Sequence, residues 1–133
     1  MDGNAMTENQ SQFIIYQTED GLTKLDVRFI DETVWLTQKQ LAELFSTSVA
    51  NANIHLKNIF EEQELSEESV IKDFLITASD GKNYRTKHYN LDAIISLGYR
   101  IKSHTATRFR QWCWLFGMVR GTHPTYALFD KIN

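Results

Sequence analysis

The stretch WLTQKQLAELFSTSVANANIHLKNIF, residues 35–60, constrains the fold of this chain more than any other. Thr37 can accept a hydrogen bond from the backbone N–H of Gln40, while the Gln40 side chain reaches back, which is the capping box of a helix start. Leu36 and Leu41 occupy the positions of a hydrophobic staple around that cap. The pattern therefore predicts a helix after Thr37. Its buried side is expected to carry Leu41, Ala42 and Phe45.

A short turn, Ser46-Thr47-Ser48, separates this helix from a second one that begins at Val49, with Ser48 as its cap. The helical period places five apolar residues on one arc, which we expect to be buried. They are Val49, Ala52, Leu56, Ile59 and Phe60. Two helices joined in this way are typical of the DNA-binding helix-turn-helix, although plain helical hairpins look similar.

The opposite arc of the second helix carries groups that can contact DNA. Asparagine can pair with adenine in the major groove, a lysine can meet guanine or a phosphate, and a helix N-terminus suits a phosphate. The candidate contacts are Ser48, Asn51, His55, Lys57 and Asn58. Ile54 lies on the same arc, where it could touch a thymine methyl group, pack on the second hairpin, or form a dimer seam.

Two Asp-Gly pairs predict β-hairpins, because both central residues of a tight hairpin turn favour positive φ. Around Asp20-Gly21, pairing outward sets Tyr16 opposite Leu25 and Ile14 opposite Val27, which makes one apolar face. A third strand follows at Thr33–Leu36. The first part of the chain therefore predicts a three-stranded antiparallel meander.

The second pair, Asp80-Gly81, predicts a hairpin in which Ile76 lies opposite Arg85 and Phe74 opposite Lys87. Such a hairpin could act as the wing of a winged helix. Two further helices are predicted, at Leu91–Gly98 with Asn90 as cap and at roughly Ser103–Phe116, the second with a core stripe of Phe109, Trp112 and Phe116. The expected fold is a single α+β domain with meander, helix-turn-helix, hairpin wing and C-terminal helices.

The charge of the chain is divided between its two halves. Residues 1–80 carry 5 Lys and Arg against 15 Asp and Glu, whereas residues 81–133 carry 9 against 2. Lys and Arg that neutralise phosphates release counterions, so the second half can supply affinity for DNA. The candidate phosphate contacts there are Lys82, Arg85, Lys87, Arg100, Lys102, Arg108 and Arg110. The alternative is that the two halves attract each other in the fold.

Other features argue against an enzyme and against secretion. The histidines His55, His88, His104 and His123 lack partners at metal-ligand spacing, and no catalytic or phosphate-binding motif occurs. The single Cys113 lies between two tryptophans and is expected to be buried, and no apolar run reaches the ~20 residues of a membrane span. We therefore expect a cytoplasmic protein without metal, cofactor or identified small-molecule substrate, with residues 1–11 as a disordered tail.

The order of these motifs resembles the RhuM family of bacterial virulence-associated proteins, which are encoded on mobile elements. The matching stretches are IIYQTEDGLTKLDVRF, ETVWLTQKQLAELFSTS, IHLKNIFEEQEL and SDGKNYRTKHYNLDAIISLGYRIKSHTATRFRQW. The segment YNLDAIISLGYRIKSHTATRFRQW is also similar to the ends of the phage antirepressor-type domains Bro-N and KilA-N. The resemblance implies a DNA-binding role, without a defined biochemical activity.

The chain departs from the family pattern at two places. Val49-Ala50 and Ala52 stand where members tend to carry polar or basic residues and a large aliphatic residue, which weakens the base-reading role of the second helix. Residues 117–133 do not continue the charged amphipathic helix of the family and are interpreted as an atypical, truncated or frameshifted tail. The sequence predicts a DNA-binding regulator or mobile-element protein, as a homodimer on double-stranded DNA. The alternative is a protein-interaction adaptor that docks a partner through Ile54 and the tail.

Overall fold

The computed structural model describes residues 11–115 and residue 117, and has the predicted α+β architecture of an antiparallel sheet and helices. Its strands are β1 (Gln12–Gln17), β2 (Lys24–Ile30), β3 (Thr33–Thr37), β4 (Ile71–Thr77) and β5 (Asn83–Asn90). The helices of the described chain are α1 (Gln38–Leu44), α2 (Val49–Glu61), α3 (Glu67–Val70), α4 (Leu91–Ile101) and α5 (Ser103–Leu115).

The first hairpin has the predicted register, with Tyr16 opposite Leu25 and Ile14 opposite Val27. Its loop is longer than the predicted two residues, because the last ladder bond runs from the N–H of Thr18 to the carbonyl of Thr23 at 3.0 Å. A loop of four residues centred on Asp20-Gly21 leaves every pair unchanged. The apolar face expected from the sequence is therefore formed.

The predicted register of the second hairpin is wrong by one residue. Ala78 N–H donates to the carbonyl of Lys82 at 2.8 Å, which leaves a three-residue loop with Gly81 at φ +83°. This is the hairpin loop that ends in a left-handed glycine. Arg85 consequently pairs with Leu75, and Lys87 pairs with Asp73. A shift of one residue exchanges the two faces of β4, so the predicted partners Phe74 and Ile76 lie on the opposite face.

Both hairpins belong to one sheet of five strands in the order β1-β2-β3-β5-β4. The junction is β3, where Trp35 pairs with Asn90 and Thr37 with His88. One face of the sheet packs against the helices, and its residues join the main core together with Leu41, Phe45 and Phe109. The other face carries a smaller buried cluster of Ile30, Trp35 and Phe74.

Packing among the helices requires a glycine where α1, α4 and α5 meet. A Cβ atom on Gly98 would lie 2.5 Å from Phe45 Cζ and 2.6 Å from the Cβ of Ala106. Both neighbours are fully buried. The close approach of the three helices therefore depends on the missing side chain at Gly98.

Some predicted boundaries and burials differ from the structure. The acidic link contains the short helix α3, and α4 continues past Gly98 to Ile101. Val49 was predicted to be buried but is 47% exposed at the first position of α2. The predictions for residues 1–10, for Phe116 and for 118–133 lie outside the described residues. In the part of the chain that is described, no helix is long and apolar enough to cross a membrane.

Candidate nucleic-acid interface

The start of α1 is fixed by the predicted capping box. Gln40 N–H donates to Thr37 Oγ1 at 3.2 Å, and Thr37 N–H donates to Gln40 Oε1 at 2.9 Å. The Gln40 amide nitrogen also donates to the carbonyl of Asp26 at 2.9 Å, which ties the helix to β2. The first helix of the pair is thus held to the sheet by the residue that closes its own cap.

The turn between α1 and α2 is tight and well defined. Thr47 N–H donates to the carbonyl of Ala42 at 2.9 Å, with Ser46 at φ +53°, which closes the end of α1. Ser48 Oγ then accepts from Asn51 N–H at 2.9 Å and caps α2. Ser48 and Val49 are both exposed, so the N-terminal turn of α2 is open to solvent. Such a terminus can accept a phosphate because its backbone N–H groups carry partial positive charge.

The body of α2 separates into a buried and an exposed side. Ala52, Leu56 and Ile59 are buried, as predicted. The exposed stripe runs along the helix through Ala50, Ile54, Lys57 and Glu61. This stripe contains one cation and one anion, so α2 has no net charge with which to attract DNA.

The three predicted base-reading residues, Asn51, His55 and Asn58, have limited freedom. Asn51 Nδ2 donates to Thr47 Oγ1 at 2.9 Å, so its amide already serves the start of the helix. His55 and Asn58 are half-buried, whereas Lys57 is exposed. The role of Thr47 was missed from the sequence, although its spacing of four residues from Asn51 is that of neighbours across a helical turn.

The hairpin β4–β5 presents a group of exposed positive charges. Lys82, Arg85 and Lys87 are all exposed, and among the described residues none of them forms an ion pair. The hairpin loop is ordered by Asp80, which accepts from the Tyr84 hydroxyl at 2.7 Å and from Lys82 N–H at 2.9 Å. These two hydrogen bonds, the first being the stronger influence, lower the pKa of Asp80.

The basic residues of the C-terminal helices are largely engaged with acidic side chains. Arg100 Nη2 lies 2.7 Å from Glu62 Oε1 and 2.9 Å from Glu64 Oε1, and these hydrogen bonds raise its pKa further. Arg108 Nη2 lies 2.6 Å from Glu19 Oε1. In both places the acidic half of the chain neutralises the basic half. This agrees with the alternative interpretation of the charge distribution, in which the two halves attract each other in the fold.

Arg110 was predicted to contact a phosphate, but the structure places it in the interior. The residue is fully buried between the C-terminal helices, and its guanidinium donates to the Tyr99 hydroxyl. A group without solvent exposure cannot reach a phosphate in this conformation. Lys102 is exposed and, unlike Arg100 and Arg108, forms no ion pair among the described residues. It lines an open cavity of about 210 Å³ together with Asp20.

A groove of about 510 Å³ lies between the two hairpins and contains a cation that the sequence interpretation omitted. Lys39 is exposed on the first turn of α1 and lines this groove together with Leu75 and Thr77 of β4. The first helix of a helix-turn-helix crosses the DNA backbone, so a lysine at this place suits a phosphate. The sequence could have indicated Lys39 as a phosphate contact, because this residue lies in the first turn of the capped helix.

The same groove contains His88 with Asp26 and Glu43. His88 is almost fully buried, its Nδ1 lies 2.8 Å from the carbonyl of Thr86, and burial lowers its pKa.

Cys113 is buried as predicted, and burial raises its pKa. Among the described residues, no group of three His, Cys, Asp or Glu side chains could hold a metal ion.

Comparison with known families gives one match. The model of the virulence protein RhuM family matches residues 69–116, which contain the second hairpin and both C-terminal helices. This confirms the resemblance inferred from the sequence for that part of the chain. No curated protein and no solved structure matches.

Proposed function

We propose that this chain, which the match over residues 69–116 assigns to the RhuM family, is a cytoplasmic regulator or mobile-element protein that binds double-stranded DNA. One observation carries the proposal: Lys82, Arg85 and Lys87 of the hairpin β4–β5 are exposed and form no ion pair among the described residues. By contrast, Lys72 of the same hairpin is paired with Asp31, and Arg100 and Arg108 are paired with glutamates. Free exposed cations are the groups that can exchange condensed counterions for phosphates.

The capped helix pair supplies the second part of the interface. In this arrangement α2 enters the major groove with its exposed N-terminal turn, and α1 crosses the backbone, where Lys39 meets a phosphate. Ser48 and Lys57 then contact the backbone near the groove. Because Asn51 is bonded to Thr47 and α2 carries no net charge, sequence reading by this helix is weak and the hairpin provides most of the affinity.

Fluorescence anisotropy with a labelled random-sequence duplex tests the proposal. The double variant Arg85→Ala/Lys87→Ala should bind at least ten times more weakly than the native chain at low salt. Lys24→Ala removes a charge from an exposed position on the other hairpin and serves as control, with little expected effect. A native chain that fails to bind the duplex at low salt would refute DNA binding.

The protein-interaction adaptor is the second candidate, and the pairing of Arg100 with Glu62 and Glu64 favours it. Basic residues that form ion pairs inside the fold leave less charge for DNA. In this candidate function the exposed Ile54 on α2 contacts a protein partner. Equal DNA affinity of the native chain and the hairpin double variant would support this candidate. Loss of affinity confined to the hairpin variant would exclude it as the main role.

A further inference from the structure

The outer edge of β1 has the features of a surface for a second copy of the chain. In the described structure β1 pairs with β2 alone, at the end of the five-stranded sheet. Its sequence, QFIIYQ, contains no charged residue and no proline. Natural edge strands are commonly protected against pairing by lysine, proline or bulges. The opposite edge strand, β4, carries Lys72 and Asp73, so the two edges of this sheet differ.

The direction of the backbone groups of β1 follows from two hydrogen bonds. Thr18 N–H donates to the Thr23 carbonyl, so Thr18 faces β2. The carbonyl of Asp26 accepts from the Gln40 side chain on the side of β2 that faces away from β1. Since Ile15 lies opposite Asp26, its own N–H and C=O are not used by β2. In an antiparallel pair, residues that bond to the neighbouring strand alternate with residues whose N–H and C=O groups point away from it.

It follows that Phe13, Ile15 and Gln17 direct their N–H and C=O groups outward, away from β2. An antiparallel copy of β1 with its two-fold axis at Ile15 would place Ile15 opposite its equivalent and Phe13 opposite Gln17 of the other copy. Each outward donor on these residues then meets an outward acceptor. Registers centred on Ile14 or Tyr16 leave one of the three residues without a partner.

The side chains suit the same arrangement. Phe13 is 56% exposed and Ile15 is 63% exposed, and both project from the sheet face that the helices do not cover. Phe13 is held in place by the Arg28 guanidinium, which lies 4.7 Å from its ring centroid. Pairing about Ile15 would join the two apolar pairs into one stripe across the dimer. Because the strand is uncharged, no like charges face each other.

We propose that two copies of this chain associate through antiparallel pairing of β1 about a two-fold axis at Ile15, which forms one continuous sheet. The symmetry is that of the commonest homodimers, in which the same patch is used by both subunits. The proposal does not depend on DNA binding, since it rests on the free strand edge and its side chains.

Sedimentation equilibrium without DNA tests the association. The native chain should show twice the 15.5 kDa mass of one chain, and Ile15→Lys should be monomeric because it places two ammonium groups together at the axis. Leu75→Lys makes the same change at an exposed position of the other edge strand and should remain dimeric. A monomeric native chain, or an Ile15→Lys variant that still dimerises, would overturn the proposal.

A pair of cysteine variants tests the register. Paired residues at the axis have Cα atoms about 5.5 Å apart, within the range that a disulfide spans. Ile15→Cys should therefore link two chains under oxidation, since the native Cys113 is buried. The two Gln17→Cys residues would lie roughly 15 Å apart, because each is opposite Phe13 of the other copy and they are therefore offset by four residues of about 3.4 Å along the paired strands. Equal cross-linking of both variants would contradict the register.

Discussion

The substitution Gly98→Ala is predicted to destabilise the protein, although alanine normally stabilises a helix. Alanine is favoured over glycine by about 1 kcal/mol in a helix interior. Here the added methyl group would lie 2.5 Å from Phe45 Cζ and 2.6 Å from Ala106 Cβ, closer than any stable contact. Overpacking of this kind costs about 1–3 kcal/mol, and two buried neighbours must move, so we take the upper end. The net loss of unfolding free energy is then about 2 kcal/mol.

Urea denaturation followed by circular dichroism measures this loss. Ser96→Ala, two residues earlier in α4, is the control and should change stability by less than about 0.5 kcal/mol. The double variant Gly98→Ala/Phe45→Leu should be more stable than the sum of the single changes, because leucine lacks the Cζ and Cε1 atoms that clash. A Gly98→Ala variant as stable as the native chain would refute the packing of α1, α4 and α5 described above.

Three further predictions concern the cap, the buried histidine and the internal ion pairs. Thr37→Ala should cost about 1 kcal/mol in urea denaturation, and Thr37→Ser should restore most of it, since the hydroxyl makes the cap. Burial lowers the pKa of His88 below 6.5, so the unfolded chain binds more protons and stability falls as the pH drops through and below that value. His88→Gln should flatten this dependence, and an unchanged slope would contradict it. Arg100→Gln should lower DNA affinity less than Arg85→Gln, because Arg100 is bound to two glutamates.

Local signals in the sequence were sufficient where the interacting residues are close along the chain. The capping box of Thr37 and Gln40 and the register of the first hairpin were predicted correctly for this reason. The second hairpin shows the limit of such signals. An Asp-Gly pair fits loops of two, three or four residues, and an odd number shifts the register by one. The sequence alone does not distinguish these loops, and the faces of β4 were therefore exchanged.

The candidate site could be predicted only in part, because its charges are decided by contacts between distant segments. Arg100 and Arg108 find acidic partners at Glu62 and Glu19, far away along the chain. Arg110 follows the core residue Phe109 directly and is covered by Tyr99 from the neighbouring helix. A count of basic residues includes all of these side chains equally. Among the described residues, Lys82, Arg85 and Lys87 of the hairpin are exposed and form no ion pair.

The salt dependence of DNA affinity tests the central claim most directly, which is that Arg85 and Lys87 of the hairpin β4–β5 contact phosphates. Each phosphate contact contributes about 0.9 to the slope of log affinity against log salt concentration. Removing Arg85 and Lys87 together should therefore reduce the slope of the native chain by roughly 1.8, whereas Lys24→Ala should leave it unchanged. A hairpin double variant with the native slope would contradict the account, even if its affinity were lower.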